Sequence, residues 1–147
     1  VKKIAISACL LGEACRYDGA SKPALHVSKM YQGCDIIPFC PEAPVLGTPR
    51  ERISVIKMAN GALHVKGDES GRDVTNHLKF EILRFLKEHP DLDGAVLKSK
   101  SPSCGFGTTP ILNTHKEPIA LGNGIAAQIF YDRGLHVSSE LDTKGIL

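Results

Sequence analysis

The sequence predicts an α/β fold: a three-layer, Rossmann-like domain with a mostly parallel sheet and a small β-hairpin excursion. Three observations predict it. Short apolar runs at residues 4–8, 35–39 and 93–97 read as buried strands, with helical patterns between them, the alternation that builds parallel α/β sheets. Asn60-Gly61, with apolar runs on both sides, is the strongest short signal for a hairpin. Finally, each buried run ends in a turn-rich break that carries a cysteine: Cys9, Cys40 or Cys104. Strand carboxyl ends line the crevice where such sheets bind ligands, so three thiols delivered from three strands are expected to converge.

The first strand runs into Cys9-Leu10-Leu11-Gly12 and on through Cys15-Arg16-Tyr17 to a turn signal at Asp18-Gly19. Six residues separate Cys9 from Arg16. That is one too many for a phosphatase-type loop, where every backbone N–H must point at the oxyanion. Residues 27–32 predict a short helix, and Cys34, at the base of the second strand, reads as a small buried hydrophobe. Pro41 stops that strand and leaves Cys40 and Glu42 in a stiff loop. Glu42 is the best-placed carboxylate for acid/base chemistry. Arg50 is expected to face an anionic site and Arg52 to be solvated.

Residues 53–58 and 63–66 predict the hairpin, placed to cover part of the site. Asp73 is a good cap for the clearest helix, in which Val74, Leu78, Ile82 and Leu86 recur every four residues and Pro90 lies past the end. His77 and His89 have no metal-ligand partner one turn on and read as structural or exposed. The third strand leads into Ser101-Pro102-Ser103-Cys104-Gly105-Phe106-Gly107, rich in turn formers. A Pro-punctuated connection (Pro110, Pro118) follows, then a helix opened by Gly122-Asn123-Gly124 and closed by Gly134, then a fourth strand at Leu135-His136-Val137. The tail from Glu140 reads as loose. No repeat or linker divides the chain, so residues 1–147 read as a single domain.

Composition narrows the function. A net charge of +2 is too mild to argue for nucleic acid, and 5% aromatic residues with no Trp give no stacking platform. No apolar run approaches the roughly 20 residues that span a bilayer, and the start reads as a strand rather than a signal peptide. A cytoplasmic protein with no membrane or nucleic-acid partner is therefore expected. Five cysteines are an odd number for a disulfide framework, and in a reducing compartment they suggest metal binding or catalysis.

Zinc sites usually pair cysteines at short spacings such as C-x-x-C, and none occurs here. An iron–sulfur cluster can be held by dispersed cysteines if the fold gathers them. With three protein thiolates on a cubane, one iron stays open as a Lewis acid with a preference for sulfur. Arg16, Lys98 and Lys100 would help hold the anionic charge, and Gly105 and Gly107 would let backbone N–H groups approach cluster sulfurs. From these residues alone, a cluster site, a thiol enzyme and a purely structural role all stay open.

Taken together, Ala8-Cys9-Leu10-Leu11-Gly12 with Cys15-Arg16-Tyr17-Asp18-Gly19, then Cys40-Pro41-Glu42, then Ser101-Pro102-Ser103-Cys104-Gly105 with Gly107 resemble the thiouracil desulfurase family. Gly71-Arg72-Asp73-Val74-Thr75 also fits, and the likeness runs to about residue 135. The resemblance implies a [4Fe-4S] cluster held by three cysteines, whose free iron takes sulfur from a small thiolated nucleobase such as 2-thiouracil without net redox change. It makes Cys9, Cys40 and Cys104 the cluster ligands, with Cys15 as a possible substitute. It makes Glu42 the catalytic carboxylate and Ser101 the polar partner that orients substrate or water. Where the family tends to have Pro-Arg-x-Pro-x-Glu, this chain has Pro49-Arg50-Glu51-Arg52-Ile53-Ser54, so the sulfur donor is the feature most open to difference. A thiol-based sulfur-transfer enzyme using Cys9 or Cys104, and a non-catalytic metal- or cluster-binding protein, are the alternatives.

Overall fold

The structure, a computed structural model, describes residues 2–12, 25–47 and 49–142. Cys15, Arg16 and the Asp18-Gly19 turn lie outside the described residues. In chain order the elements are β1 (Lys3–Ser7), α1 (Leu25–Met30), β2 (Asp35–Phe39), α2 (Glu42–Leu46), β3 (Ile53–Lys57), β4 (Leu63–Gly67), α3 (Thr75–Glu88), β5 (Gly94–Leu97), β6 (Thr109–Leu112), β7 (Pro118–Gly122), α4 (Ile125–Asp132) and β8 (His136–Ser139).

The cysteine-bearing strands form one sheet in the order β2-β1-β5-β8, every neighbouring pair parallel. The chain steps outward from β1 to β2, then returns across β1 to β5. Direction therefore reverses between β1 and β5, and open α/β sheets bind ligands beyond the strand ends at such a point. Side chains alternate between faces along a strand. Ala5, Ala95, Leu97 and Val137 pack on Ile82 and Leu86 of α3 and on Ala126, Ala127 and Phe130 of α4. Ile4, Ile6 and Val96 pack on Val27 of α1 and on Tyr31. Helices cover both faces, which gives the three layers the sequence predicts.

The Asn60-Gly61 hairpin is present as β3 and β4, paired antiparallel from Ile53↔Gly67 to Lys57↔Leu63. Gly61 sits at φ +84°, a backbone region that suits glycine, and donates its N–H to Met58 O at 2.9 Å. The hairpin is half of a second sheet, ordered β4-β3-β6-β7. Its other half is the connection read from sequence as merely Pro-punctuated. Pro118 opens the edge strand β7. Pro110 precedes the residues of β6 that pair with β3, Ile111 and Leu112, so its missing N–H leaves that ladder intact.

Helix α3 buries Leu78 and Ile82 completely, with Val74 and Leu86 nearly so, as their spacing predicts. Asp73 acts one residue before the N-cap position, its Oδ1 accepting from the Thr75 N–H at 3.0 Å and the Thr75 hydroxyl at 2.6 Å. Residues 42–46 form α2 rather than a stiff loop. Pro41 sits at its N-cap and Pro44 in its first turn, positions where a missing N–H is no loss. The tail is also different from expectation at Glu140. Its carboxylate accepts from the Ser99 N–H at 2.7 Å and the Ser99 hydroxyl at 2.9 Å, a tertiary anchor that local sequence does not announce. Among the described residues, no helix is long and apolar enough to cross a membrane.

Candidate active site

The end of β1 turns at once into a 3-10 segment, Ala8–Leu11, that leaves Cys9 only 8% exposed. Gly12, at φ +97°, closes the turn. Cys40 follows β2, and its Sγ accepts from the Ala43 N–H at 3.4 Å. Cys104 lies in the loop after β5 and is 4% exposed. All three thiols line one cavity of about 460 Å3, and Glu42 and Ser101 line it with them. The five residues named from the sequence are thus gathered in one place, beyond the β1–β5 reversal. Cys34 is half-buried, packs against the cluster that contains Ile4, Val27 and Tyr31, and does not line the cavity.

The loop that carries Cys104 is held by its own serine. Ser101 Oγ accepts from the Cys104 N–H at 3.1 Å and the Ser103 N–H at 3.3 Å, while Ser101 O accepts from the Gly105 N–H at 2.9 Å and the Thr109 hydroxyl at 2.6 Å. The first turn of α4 locks onto the same loop, with Gly124 N–H donated to Gly105 O and Ala126 N–H to Ser103 O, each at 2.7 Å. A Cβ on Gly124 would stand 2.5 Å from the Ser103 carbonyl carbon and 2.7 Å from Cys104 N, so only glycine permits this approach. The Gly107 N–H goes to Asn123 Oδ1 at 2.7 Å. With Gly105 N–H also engaged, neither glycine offers its own N–H to the cavity. They shape the loop instead.

Glu42, 8% exposed, is the buried acid in the cavity wall, with Asp68 also lining the cavity. The Ser103 hydroxyl makes a short bond to its Oε2, and Ser101 Oγ lies 3.5 Å from the same oxygen. Arg50 Nη2 reaches Oε1 at 3.3 Å, with the two side chains 6% and 11% exposed. The anionic group that Arg50 faces is therefore Glu42 itself. Ser103, wholly buried, was missed from sequence. Its signal was the second serine of Ser-Pro-Ser-Cys, two residues after the first and next to the cysteine. Burial pushes the Cys104 thiol far above its ordinary range, and the neighbouring Glu42 and Cys40 push the same way against bonds from Ser103 and Ser7. A thiol so placed ionises only if a cation compensates it.

Cationic side chains also line the cavity. Lys98 lines the cavity with its side chain 14% exposed, and its ammonium lies 3.3 Å from Glu140 Oε2. Lys100 and Arg52 also line it, both exposed at the rim. The second sheet also lines it, through Ile53, Ser54 and Val55 of β3 and Thr109, Pro110 and Leu112 of β6. That sheet therefore completes the site. Among the described residues, no three His, Cys, Asp or Glu side chains gather tightly enough for one metal ion. A cubane takes each thiolate on a separate iron, so it fits three thiols that share a cavity without meeting at a point.

Residues 4–142 match the family described as 2-thiouracil desulfurase. The chain belongs to that family. It is 31% identical over 155 residues to YbbK, an uncharacterized protein of Bacillus subtilis (strain 168), spanning 98% of this chain and 99% of that protein. Among solved structures, it is similar to TudS, described as a [4Fe-4S]-dependent thiouracil desulfidase, with a TM-score of 0.74 and 34% identity over 95% of this chain and 91% of that one. The family match agrees with the resemblance carried by the three cysteine motifs.

Proposed function

We propose that this chain is a [4Fe-4S]-dependent desulfidase of thiolated pyrimidines, 2-thiouracil being the type, with its catalytic residues in a single domain. Cys9, Cys40 and Cys104 would hold the cluster, with Cys15 the substitute the sequence offers. The observation that carries the reading is the gathering of three thiols from three strand ends around one cavity, with a buried carboxylate among them. Its support from relatives is the family match and the likeness to TudS.

When bound, the cluster supplies an iron free of protein ligands, a soft Lewis acid that favours sulfur over oxygen. The overall change is hydrolytic: water oxygen replaces sulfur at the ring carbon, sulfur leaves as sulfide, and no oxidation state changes. Glu42 takes a proton from the attacking water and returns it to the departing side. Ser101, half-buried in the wall with its hydroxyl beside Glu42, orients that water or the ring. Ser103 fixes Oε2 and Arg50 balances the charge at Oε1, so the carboxylate keeps one orientation. Such a cluster suits a reducing compartment, in keeping with the cytoplasmic expectation.

A thiol-based sulfur-transfer enzyme using Cys9 or Cys104 as nucleophile would turn over without iron. The test is anaerobic reconstitution with iron and sulfide, followed by incubation with 2-thiouracil. The reading predicts a brown protein that forms uracil and sulfide in equal amounts. Turnover by a colourless protein, or a brown protein that leaves 2-thiouracil intact, would contradict it.

A further inference from the structure

We infer that Lys98 is the residue by which the cavity selects anionic pyrimidines, and that Ser99 and Glu140 are positioning residues that hold it there. This rests on reading the cavity as a thiolated-pyrimidine site. Lys98 leaves the end of β5 and lines the same cavity as Cys9 and Cys104. Its backbone N–H is donated to Ser7 Oγ at 2.9 Å, which ties it to the end of β1 where the sheet reverses. With 14% of its side chain exposed, its charge is not that of a solvated surface lysine.

The ammonium is held unevenly. It donates to Ser99 O at 2.8 Å, but its distances to Ser99 Oγ and Glu140 Oε2 are both 3.3 Å. Glu140 spends its shorter bonds on Ser99, at 2.7 Å to the N–H and 2.9 Å to the hydroxyl. His26 Nε2 lies 2.6 Å from Glu140 O and tethers that residue to α1. The carboxylate is thus fixed to Ser99, and the ammonium is held beside it by Ser99 O and Glu140 Oε2. Lys98 pairs with Glu140 at 3.3 Å, as Arg50 does with Glu42, so a ligand anion in the cavity would share the Lys98 ammonium with Glu140.

Exchanging a ring carbonyl for a thiocarbonyl makes the adjacent ring N–H more acidic, because sulfur carries negative charge better than oxygen. Thiolated substrate therefore reaches its anion more readily than the oxo product does. A fixed ammonium would favour substrate over product by charge alone and hasten product release.

The test uses sulfur-free pyrimidines as competitors against 2-thiouracil on the reconstituted enzyme. Barbiturate is an anion at neutral pH and uracil is neutral. Lys98 predicts that barbiturate binds about tenfold more tightly than uracil, the scale of one charge-assisted hydrogen bond. Lys98→Met should bring that ratio to about one, and Lys98→Arg should retain most of it. Glu140→Gln should lower the ratio in the native background and leave it unchanged in Lys98→Met, because Glu140 acts through Lys98. Iron content and the inhibition constant of uracil serve as controls for structural damage. An unchanged ratio in Lys98→Met, or an equal shift from Glu140→Gln in both backgrounds, would overturn the inference. If the native protein leaves 2-thiouracil intact, the functional reading fails. Equilibrium dialysis of barbiturate and uracil then decides the role of Lys98 by the same ratio.

Discussion

The Ser103 hydroxyl donates to Glu42 Oε2, and this bond, with the longer contact from Ser101 Oγ, ties the loop after β5 to the helix after β2. Both residues are buried, Ser103 completely and Glu42 to 8% exposure. Removing a hydrogen bond to a buried charged group costs about 2 kcal/mol. Ser103→Ala should therefore lower the free energy of unfolding by about that amount in urea titrations. It should also reduce turnover, since the carboxylate loses its fixed orientation. A variant of native stability and rate would show that the bond contributes neither.

Gly124 stands where α4 meets the Cys104 loop, and an added Cβ would meet backbone at 2.5–2.7 Å rather than a side chain that could turn away. Overpacking of this kind costs about 1–3 kcal/mol. The same strain acts on Cys104 N. Gly124→Ala should lose stability by about that much and retain less iron than the native protein after identical reconstitution. Native iron content with native melting would mean the loop yields freely.

Glu42→Gln keeps the size of the side chain and removes the base. Turnover of 2-thiouracil should fall at least about a hundredfold, the usual scale for a general acid–base group, while iron content stays near native. An unaffected rate would leave Glu42 without a part in proton transfer.

Asp73 joins the start of α3 to the hairpin. Partial burial works to raise its pKa, but bonds from Thr75 and from His64, whose Nδ1 lies 2.6 Å from Oδ2, outweigh burial and bring it from 3.8 to about 2. The folded value lies below the unfolded one, so the stability it contributes is whole above about pH 4 and is lost as pH falls toward 2. Because the carboxylate is 41% exposed, solvent screening reduces the full linkage value to about 1 kcal/mol. Asp73→Asn should be less stable than the native protein at neutral pH, with the gap closing between about pH 4 and 2. A gap that holds constant through acid would contradict the coupling.

What could be read in advance depended on how each residue acts. Strands β1, β2 and β5 were legible because each is a short apolar run cut off by turn formers, and the cysteines at their ends were legible with them. The periodic Val74, Leu78, Ile82 and Leu86 and the Asn60-Gly61 turn carried local signals strong enough to stand alone. Strands β6 and β7 were not legible. Pro110 and Pro118 signal a break, and β7 leaves Ile119 and Leu121 at 50% and 70% exposure, so no apolar alternation marks a buried face. Helix α2 was hidden by Pro41 and Pro44, which read as breakers until their place in a first turn is known. The anchoring of Glu140 on Ser99 and of Ser103 on Glu42 joins residues 41 and 61 positions apart, beyond the reach of any local pattern.

The central claim is that Cys9, Cys40 and Cys104 share one cluster, and iron and acid-labile sulfide per chain after anaerobic reconstitution test it most directly. The account predicts about four of each in the native protein, a sharp loss in each of Cys9→Ser, Cys40→Ser and Cys104→Ser, and native values in Cys34→Ser. Native iron in any of the first three, or loss in Cys34→Ser alone, would contradict it.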